Sequence, residues 1–436
     1  MDKRIFPKRK FGYSAVAVMT LAQVFAFIDR QIPAMLVEPI KSDFGLSDSQ
    51  IALLGGAAFS LFYAIMALPI GYAVDRMNRK NILGTGIFLW SLMTTLAAFS
   101  NSFTKLFGAR VGVAVGEAVM APTSVSLVSD YFPENKQGKP MGIITAGVYI
   151  GIGLTLLGGG FLIDYLTSLG PINIPFVGTF KPWQATFLIV GIPGILISIF
   201  AFRLREPDRE LTPYVNQKDK SLEIISYIKA HISTFVTMFL GLIFMALIFY
   251  SFTFWAPTMM VRTHGLSLSE VGLTLGIITI TMSILGTISA GAFVDFLRNK
   301  NYLDAPVRAA LICCILAFPA ILSAPLVDSK ALSWLLLSIY LFFISSFAPL
   351  GLLAVSGISK GSFKGQLAAI HAFLMMAFGL TLGPQLTAFF TDFIFMKPEK
   401  LSLSISLTAL VSLPLASLFF FLSMPKYRLT ASSLKK

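Results

Sequence analysis

Charge is scarce in this sequence, and so are cysteine and histidine. Only 13% of the 436 residues are Asp, Glu, Lys or Arg, whereas 56% are hydrophobic. A soluble globular domain has about 25% charged residues, so the composition excludes that class. Two cysteines and three histidines exclude a disulfide framework and a histidine-rich metal site, and we expect no cofactor and no metal. The adjacent Cys313 and Cys314 are interpreted as small packing residues.

Long apolar runs take the place of the missing charge. Each is long enough to cross a hydrocarbon core about 30 Å thick as a helix. The basic segment KRIFPKRK continues directly into the first run without a small-residue cleavage site, so we expect this helix to remain in the mature protein. We predict an all-α membrane protein with twelve transmembrane helices, near 12–36, 49–74, 81–100, 104–129, 140–168, 184–203, 231–259, 268–297, 306–327, 332–357, 364–393 and 400–424.

The formal net charge of +13 is distributed unevenly between the loops. Most lysines and arginines fall in segments that lie on one side of the membrane, the side that also holds the N-terminus. This is the positive-inside pattern, which predicts an inner (cytoplasmic) membrane protein with both termini in the cytoplasm. It also accounts for the charge without a nucleic-acid partner.

An internal repeat divides the chain into two halves. GLSDSQIALLGGAAFSLFYAIMALPIGYAVDR at 45–76 recurs, 220 residues later, as GLSLSEVGLTLGIITITMSILGTISAGAFVDF at 265–296. Parallel repeats of six helices are typical of transporters with a substrate site at mid-membrane. We predict two pseudo-symmetric six-helix bundles, with these boundaries: an N-terminal bundle at 1–203, a cytoplasmic linker at 204–230, a C-terminal bundle at 231–424 and a cytoplasmic tail at 425–436.

The linker is the only long polar segment of the sequence. In its second part Leu222, Ile225 and Ile228 share one side of a helix. This spacing permits a short helix at the membrane surface, and a solvated linker is the alternative.

The stretch GYAVDRMNRK at 71–80 follows the second predicted span. It resembles the glycine–aspartate–arginine signature of the major facilitator superfamily, in which this motif helps to lock the cytoplasmic gate. Asn78 stands where that family usually has glycine, and asparagine tolerates the left-handed backbone that the turn would then need. The resemblance implies a gating role, with Gly71 allowing close helix packing, for Gly71, Asp75, Arg76 and Arg79 and, from the repeat, for Asp295.

Further stretches narrow the resemblance, among them IDRQIPAMLVEPIKSDFGLSDSQIALL, ARVGVAVGEAVMAPTSVSLVSDYFP and REPDR. Together they are similar to the bacterial branch of the spinster-like transporters, most strongly in the N-terminal half. Animal relatives in that family move lysophospholipids or sphingosine phosphate, and proton coupling is proposed for it. The resemblance therefore implies a lipid-like amphiphilic substrate, protons as the coupling ion and contact with membrane lipids.

Four ionisable residues interrupt the apolar spans of the first half: Asp29 and Arg30 on helix 1, and Arg110 and Glu117 on helix 4. A charge facing lipid is costly, so these side chains are expected to face the bundle interior or a wet cavity. Gln23 precedes Arg30 by seven residues, and Ser124 follows Glu117 by the same interval. Each pair therefore draws a polar stripe along its helix.

The depths of these charges suggest how they pair. Asp29 and Arg110 lie at similar distances from the outer ends of their helices, so we predict that Asp29 holds Arg110. Arg30 is then left to meet the negative charge of a substrate or to pair with Glu117. We hypothesise that Glu117, or Asp29, carries the coupling proton. A purely structural interhelical pair is the alternative.

Aromatic residues dominate the corresponding part of helix 7. In FYSFTFWAP, Tyr250 and Phe254 share a face and Trp255 lies beside it. If these side chains line a cavity, a charged wall opposite an aromatic wall suits a ligand with an anionic head and an apolar body. Packing within the bundle, or contact with lipid, is the alternative for each.

Glycines recur at four-residue spacing on two helices, as Gly147 and Gly151 on helix 5 and as Gly379 and Gly383 on helix 11. Such spacing predicts close helix packing.

Enzyme signatures are missing, since the sequence has no phosphate-binding loop with its lysine and no serine nucleophile elbow. We predict a monomeric secondary transporter that works by alternating access, is coupled to protons and carries an amphiphilic anionic solute such as a lysolipid. A symporter of small organic acids or sugar acids is the second candidate. A non-transporting receptor or scaffold of the same fold is the third.

Overall fold

Helices make up almost all of the computed structural model, which describes residues 7–133, 136–208, 217–360 and 364–434. Within these residues, eleven helical segments are long and apolar enough to cross a membrane. The third predicted span is also helical, at Arg79–Ala97, but this short helix begins with the polar residues Arg79, Lys80 and Asn81 and is not one of the eleven. The all-α membrane class is confirmed, and the helix count agrees approximately with twelve.

The chain folds into two compact units. The first unit is Met1–Leu211 together with Leu266–Gly276, and the second is Thr212–Gly265 together with Ile277–Lys436. The elements of the first unit are α1 (Arg9–Met35), α2 (Val37–Phe44), α3 (Asp48–Gly55), α4 (Ala57–Val74), α5 (Arg79–Ala97), α6 (Phe103–Glu117), α7 (Met120–Tyr131), α8 (Gly138–Leu169), an antiparallel hairpin of β1 (Ile172–Ile174) and β2 (Gly178–Phe180), and α9 (Pro182–Phe202).

The second unit begins with the linker and ends with a long C-terminal helix. Its elements are α10 (Gln217–Ala230), α11 (Ile232–His264), α12 (Leu268–Asn299) from residue 277 onward, α13 (Ala305–Ser323), α14 (Lys330–Ile344), α15 (Phe347–Gly357), α16 (Lys364–Leu374), a π-helical segment (Met375–Leu380), α17 (Thr381–Phe389), a second π-helical segment (Phe390–Phe395) and α18 (Leu401–Ser433); short 3-10 turns lie at Ala324–Leu326 and Pro398–Lys400. Cys313 and Cys314 are free and buried in α13, as packing residues should be.

Helices 4 and 10 are each broken at a matching place. Helix 4 is interrupted between α6 and α7, at 118–119, and helix 10 between α14 and α15, at 345–346. Pro122 follows the first break and Pro349 follows the second. A proline has no N–H to donate to the carbonyl four residues earlier, and its ring crowds that carbonyl. The break in helix 4 makes Glu117 the last residue of α6.

The predicted close packing at the glycine pairs is confirmed in both units. A Cβ atom added to Gly151 would lie 2.5 Å from the backbone oxygen of Val24 on α1, because the backbones of α1 and α8 approach so closely. In the second unit, a Cβ atom on Gly383 would lie 2.4 Å from the backbone oxygen of Leu247 on α11. The glycines therefore allow α8 (helix 5) to pack closely on α1 (helix 1), and helix 11 to pack closely on α11 (helix 7).

The first turns of α12 pack in the first unit, whereas we assigned residues 266–276 to the C-terminal bundle. A Cβ atom on Gly160 would lie 2.3 Å from the backbone oxygen of Leu268, which shows how closely α8 meets this segment. Asp164, one turn further along α8, accepts a hydrogen bond of 2.8 Å from the backbone N–H of Ser269 and another from its hydroxyl. A carboxylate at a helix N-terminus is favourable in this position.

The linker forms a helix, α10, as the spacing permitted, and it packs against the protein with a side other than that of Ile225. Ile225 is 48% exposed, whereas Ile224 and Tyr227 are buried. The hydroxyl of Tyr227 donates a hydrogen bond of 2.5 Å to the backbone oxygen of Ile358. The side chain of Leu222 lies outside the described residues. The buried face follows from the tyrosine anchor, which a pattern of aliphatic residues alone does not reveal.

Residues 425–433, predicted to be part of a cytoplasmic tail, continue α18 without interruption. Tyr427 is buried and donates a hydrogen bond of 2.8 Å to the backbone oxygen of Ala354. Arg428 lies 3.7 Å from the buried carboxylate of Asp304. These contacts hold the end of the helix against the second unit, so the tail is part of the fold.

Candidate functional site

An ion pair joins the two charged helices of the first unit. Arg30 on α1 donates a hydrogen bond of 2.6 Å from Nη2 to Oε2 of Glu117 on α6. The side chain of Arg30 is 18% exposed, whereas that of Glu117 is fully buried. The second carboxylate oxygen of Glu117, Oε1, is buried without a hydrogen-bond partner in the described structure.

The predicted side-chain pair of Asp29 with Arg110 is not formed in the described residues. Arg110 donates from Nη1 to the backbone oxygen of Asp29 at 3.0 Å, while the carboxylate of Asp29 accepts a hydrogen bond of 3.0 Å from the hydroxyl of Thr94 on α5. The two residues do lie at the same depth and in contact, but the position of Asp29 around the axis of α1 directs its carboxylate to α5. Thr94 is a site residue that the sequence did not single out, because it lies in an ordinary run of small polar and apolar residues.

Three aromatic rings surround Arg30. Its guanidinium carbon lies 4.4 Å from the ring centre of Phe27, 4.5 Å from that of Phe59 and 5.5 Å from that of Tyr63. A cation held over aromatic faces is stabilised by each ring, more so where water is excluded. Phe59 and Tyr63 are four residues apart on α4, and this spacing is the only sequence signal that could have identified them.

A cavity of about 250 Å³ lies beside the ion pair, inside the first unit. Arg30 and Glu117 line it, whereas Asp29 and Arg110 do not. Its other polar lining residues are Gln23, Tyr63, Ser124 and Thr145, and its apolar ones are Ala26, Phe27, Met120, Ala121, Val125, Met141, Ile144 and Val148. The cavity therefore offers one charged end within a surface that is otherwise mostly apolar.

The helix 7 aromatics, predicted as the second wall of a binding site, pack inside the second unit. Trp255 is fully buried and donates a hydrogen bond of 2.9 Å from Nε1 to the backbone oxygen of Pro384. Phe254 is also buried, with its ring edge-on to Trp255. Tyr250 is half-buried against Phe347. The geometry favours the alternative interpretation, bundle packing, for Trp255 and Phe254.

Arg79 is the centre of a buried charge cluster at the start of α5. It is 1% exposed and pairs with Asp130 on α7 and, at 2.7 Å, with Glu206 after α9. Its guanidinium also donates to the backbone oxygens of Ser126, at 3.2 Å, and Pro207, at 2.9 Å. One arginine thus connects the start of α5, the end of α7 and the segment that follows α9. The stretches SVSLVSDYFP and REPDR contain both acidic partners, so the sequence held this signal.

The other residues of the predicted gate lie at the surface. Asp75 and Arg76 are exposed, and Arg76 stacks on Tyr72 with 3.4 Å between its guanidinium carbon and the ring centre. Asp295 is exposed, 4.0 Å from Arg298. Gly71 does not serve close packing here, contrary to our expectation, because no described atom lies within 4 Å of a Cβ built on it. The gating roles remain predictions.

Asn78 does not adopt the left-handed backbone that we expected. Its φ of −68° and ψ of 115° are extended, and its side chain accepts a hydrogen bond of 3.2 Å from the N–H of Asn81. Asn78 is the N-cap of α5, a position at which asparagine is among the preferred residues. The replacement of glycine therefore supplies a cap to the helix that begins with Arg79.

Comparison with known proteins places this geometry in context. Residues 19–384 match the sequence model of the Major Facilitator Superfamily. An MFS-type efflux pump of Mycolicibacterium smegmatis is 27% identical over 88% of this chain and 85% of its own length. A probable L-galactonate transporter of Escherichia coli is 25% identical over 88% of this chain and 84% of its own length.

A solved structure shares the fold along the whole chain. It is the crystal structure of a bacterial homologue of the human lysosomal transporter spinster, in an inward-facing and unoccupied conformation. The TM-score is 0.81, with 24% identity over 98% of this chain and 99% of the other. The resemblance to spinster-like transporters therefore extends from the sequence to the fold.

Proposed function

The chain belongs to the Major Facilitator Superfamily, and we propose that it is a proton-coupled secondary transporter of a compact amphiphilic anion. As a multi-pass membrane transporter it is not an enzyme. We place it in the cytoplasmic membrane with both termini in the cytoplasm, on the basis of the positive-inside pattern. It would work by alternating access, as expected for a carrier built from two repeated halves.

The observation that carries this proposal is the Arg30–Glu117 pair on the wall of the cavity. A ligand carboxylate, sulfonate or phosphate can take the place of Glu117 on Arg30, because a guanidinium has several donors in a planar fork. Phe27 and Tyr63, the two rings near Arg30 that line the cavity, then face the apolar part of the same ligand. An anion with a short apolar body satisfies both features.

Ligand binding would also favour protonation of Glu117. Glu117 is fully buried, and Arg30 is the arginine that contacts its carboxylate at 2.6 Å. When a substrate anion engages Arg30, the buried carboxylate of Glu117 loses much of its compensation. An uncompensated buried charge is expensive, so protonation of Glu117 accompanies binding and deprotonation accompanies release.

The size of the cavity favours a compact ligand over a full lysolipid. Pockets for drug-sized ligands are typically about 300–1,000 Å³, and this one is about 250 Å³. It accommodates an anionic head with a short chain or a single ring, whereas a long acyl chain would have to extend outside it.

A sugar acid is the second candidate substrate, and the similarity to the probable L-galactonate transporter supports it. A polyhydroxylated acid needs a hydrogen-bond partner for most of its hydroxyls. The lining has more apolar residues than polar ones, which is why we rank the amphiphilic anion first.

Binding and proton movement are tested together in reconstituted vesicles. Octanoate and galactonate serve as probes, with a pH-sensitive dye inside the vesicles, and the signal of protein-free vesicles is subtracted because neutral octanoic acid also crosses a bilayer unaided. We expect octanoate uptake to carry protons, Arg30→Gln to abolish uptake, and Glu117→Gln to allow octanoate exchange without proton movement. Glu38→Gln, at an exposed position on α2, is the matched control.

Unchanged proton coupling in both Glu117→Gln and Asp29→Asn would refute the proposed carrier role of these carboxylates. Uptake of galactonate but not octanoate would support the sugar-acid alternative. Binding without exchange of label across the membrane would indicate a receptor or scaffold.

A further inference from the structure

The cavity contains a second pair of polar side chains at a distance from the ion pair. Gln23 precedes Arg30 by seven residues on α1, and Ser124 follows Glu117 by seven residues along helix 4. Helices 1 and 4 run in opposite directions across the membrane, so both shifts lead to the same side. Seven residues of α1 at 1.5 Å each place Gln23 about 10 Å from Arg30, and Ser124 lies beyond the break of helix 4, away from Glu117 in the same direction.

Ser124 combines an unsatisfied hydroxyl with a position on the wall of the cavity. It is 4% exposed and lines the cavity, yet its hydroxyl has no hydrogen-bond partner among the described residues. Serine and threonine inside helices usually bond to the carbonyl three or four residues earlier. Neighbouring Thr123 does so, donating to the backbone oxygen of Val119 at 2.5 Å. A buried hydroxyl without a partner destabilises the protein unless another group satisfies it.

The surface between the two polar pairs is mostly apolar. Ala26 on α1 and Met120 on α7 lie between them along the chain, and Ile144 and Val148 on α8 line the same cavity, with Thr145 as the polar residue of that segment. A ligand that reaches from Arg30 to Ser124 therefore makes mainly apolar contacts on the way.

We propose that the cavity is a two-point site. Arg30 binds the anionic group of the ligand, and Ser124, together with Gln23 on the same cavity wall, binds a hydroxyl, carbonyl or amide about 10 Å away, the rise of the seven residues from Gln23 to Arg30. This inference rests on the proposed function and narrows its substrate class to medium-length organic anions with a polar group at the far end. Simple fatty acids would use only half of the site.

Octanoate and its ω-hydroxy derivative are a matched pair of probes for this inference, because they differ only in a hydroxyl at the end of the chain. Both are titrated calorimetrically into the full-length protein in lipid nanodiscs, with empty nanodiscs as the blank. We expect the ω-hydroxy derivative to bind about fivefold more tightly, the effect of one net hydrogen bond. Ser124→Ala should reduce this ratio to near one.

Ser91→Ala is the control variant, because the hydroxyl of Ser91 is also buried without a partner in the described structure but does not line the cavity. It should keep the preference of the wild-type protein. Equal affinity of the wild type for both probes, or an undiminished preference in Ser124→Ala, would overturn the two-point site while the anion-transport proposal stands. Failure of both probes to bind would overturn the proposed function, and the two-point site with it.

Discussion

Removal of Arg79 should destabilise the protein far more than removal of the neighbouring Arg76. Arg79 is 1% exposed and pairs with both Asp130 and Glu206, so Arg79→Met removes the cation that two carboxylates share. Breaking a buried ion pair in this way costs about 3–5 kcal/mol. The 23% exposure of the side chain of Glu206 gives that carboxylate some access to water, so we expect a loss near the lower end, about 3 kcal/mol.

Arg76→Met is the matched control, since Arg76 belongs to the same motif and is exposed. It stacks on Tyr72 and reaches the backbone oxygen of that residue only at 3.5 Å. Surface substitutions of this kind stay within about 0.5 kcal/mol. The two variants therefore differ in the burial of the side chain while the charge removed is the same.

The assay measures the apparent midpoint of thermal unfolding in nanodiscs by tryptophan fluorescence. The difference in unfolding free energy comes from denaturant titration where unfolding is reversible. The second arm combines Arg79→Met with Asp130→Asn. Removing the uncompensated carboxylate should recover part of the lost stability, because the cost lies in the stranded charge. Equal stability of Arg79→Met and Arg76→Met, or a further loss in the double variant, would refute the reasoning.

Three further predictions address packing and capping. Gly151→Ala should lower the free energy of unfolding by about 1–3 kcal/mol, because the new Cβ would meet the backbone of α1. Gly158→Ala is the control, since no described atom lies near its Cβ, and it should be neutral or stabilising in the same denaturant titration. Asn78→Ala should cost about 1 kcal/mol and Asn78→Gly only a few tenths, as for an N-cap; a gain from glycine would indicate a left-handed turn instead. Trp255→Phe should lower stability by about 1 kcal/mol through the lost hydrogen bond to Pro384 while leaving probe affinities unchanged, and a selective loss of octanoate binding would return Trp255 to the cavity.

The sequence was sufficient for the helices and for the position of the charges along them. Apolar length identifies a membrane span directly, because the bilayer admits few other structures. The same reasoning located Asp29 and Arg110 at one depth, and the two residues do meet. What the sequence could not supply was rotation about the helix axis. Asp29 contacts Arg110 through its backbone oxygen, while its carboxylate turns to Thr94.

The errors have a common physical origin in packing partners that are distant in sequence. Asn78 was interpreted from the glycine that it replaces, whereas its role depends on the start of α5. Trp255 was predicted to line a cavity, because the sequence does not show whether an aromatic side chain on a helix faces the bundle interior or a cavity. Its hydrogen-bond partner, the carbonyl of Pro384, lies 129 residues away. The ion pairs of Arg79 were not predicted for the same reason, since its two acidic partners come from the ends of two other helices.

The two halves of the chain share backbone geometry but not chemistry. Pro122 and Pro349 break helices 4 and 10 at matching places, and the glycine pairs of helices 5 and 11 pack against helices 1 and 7 in the same manner. Yet the break in helix 4 is preceded directly by buried Glu117, whereas the break in helix 10 is formed by two serines. The break ends α6 at Glu117, so this carboxylate lies where the regular helical hydrogen bonding stops. The charged pair therefore lies in the half where a helix break adjoins a carboxylate, and the other half has a matching break without one.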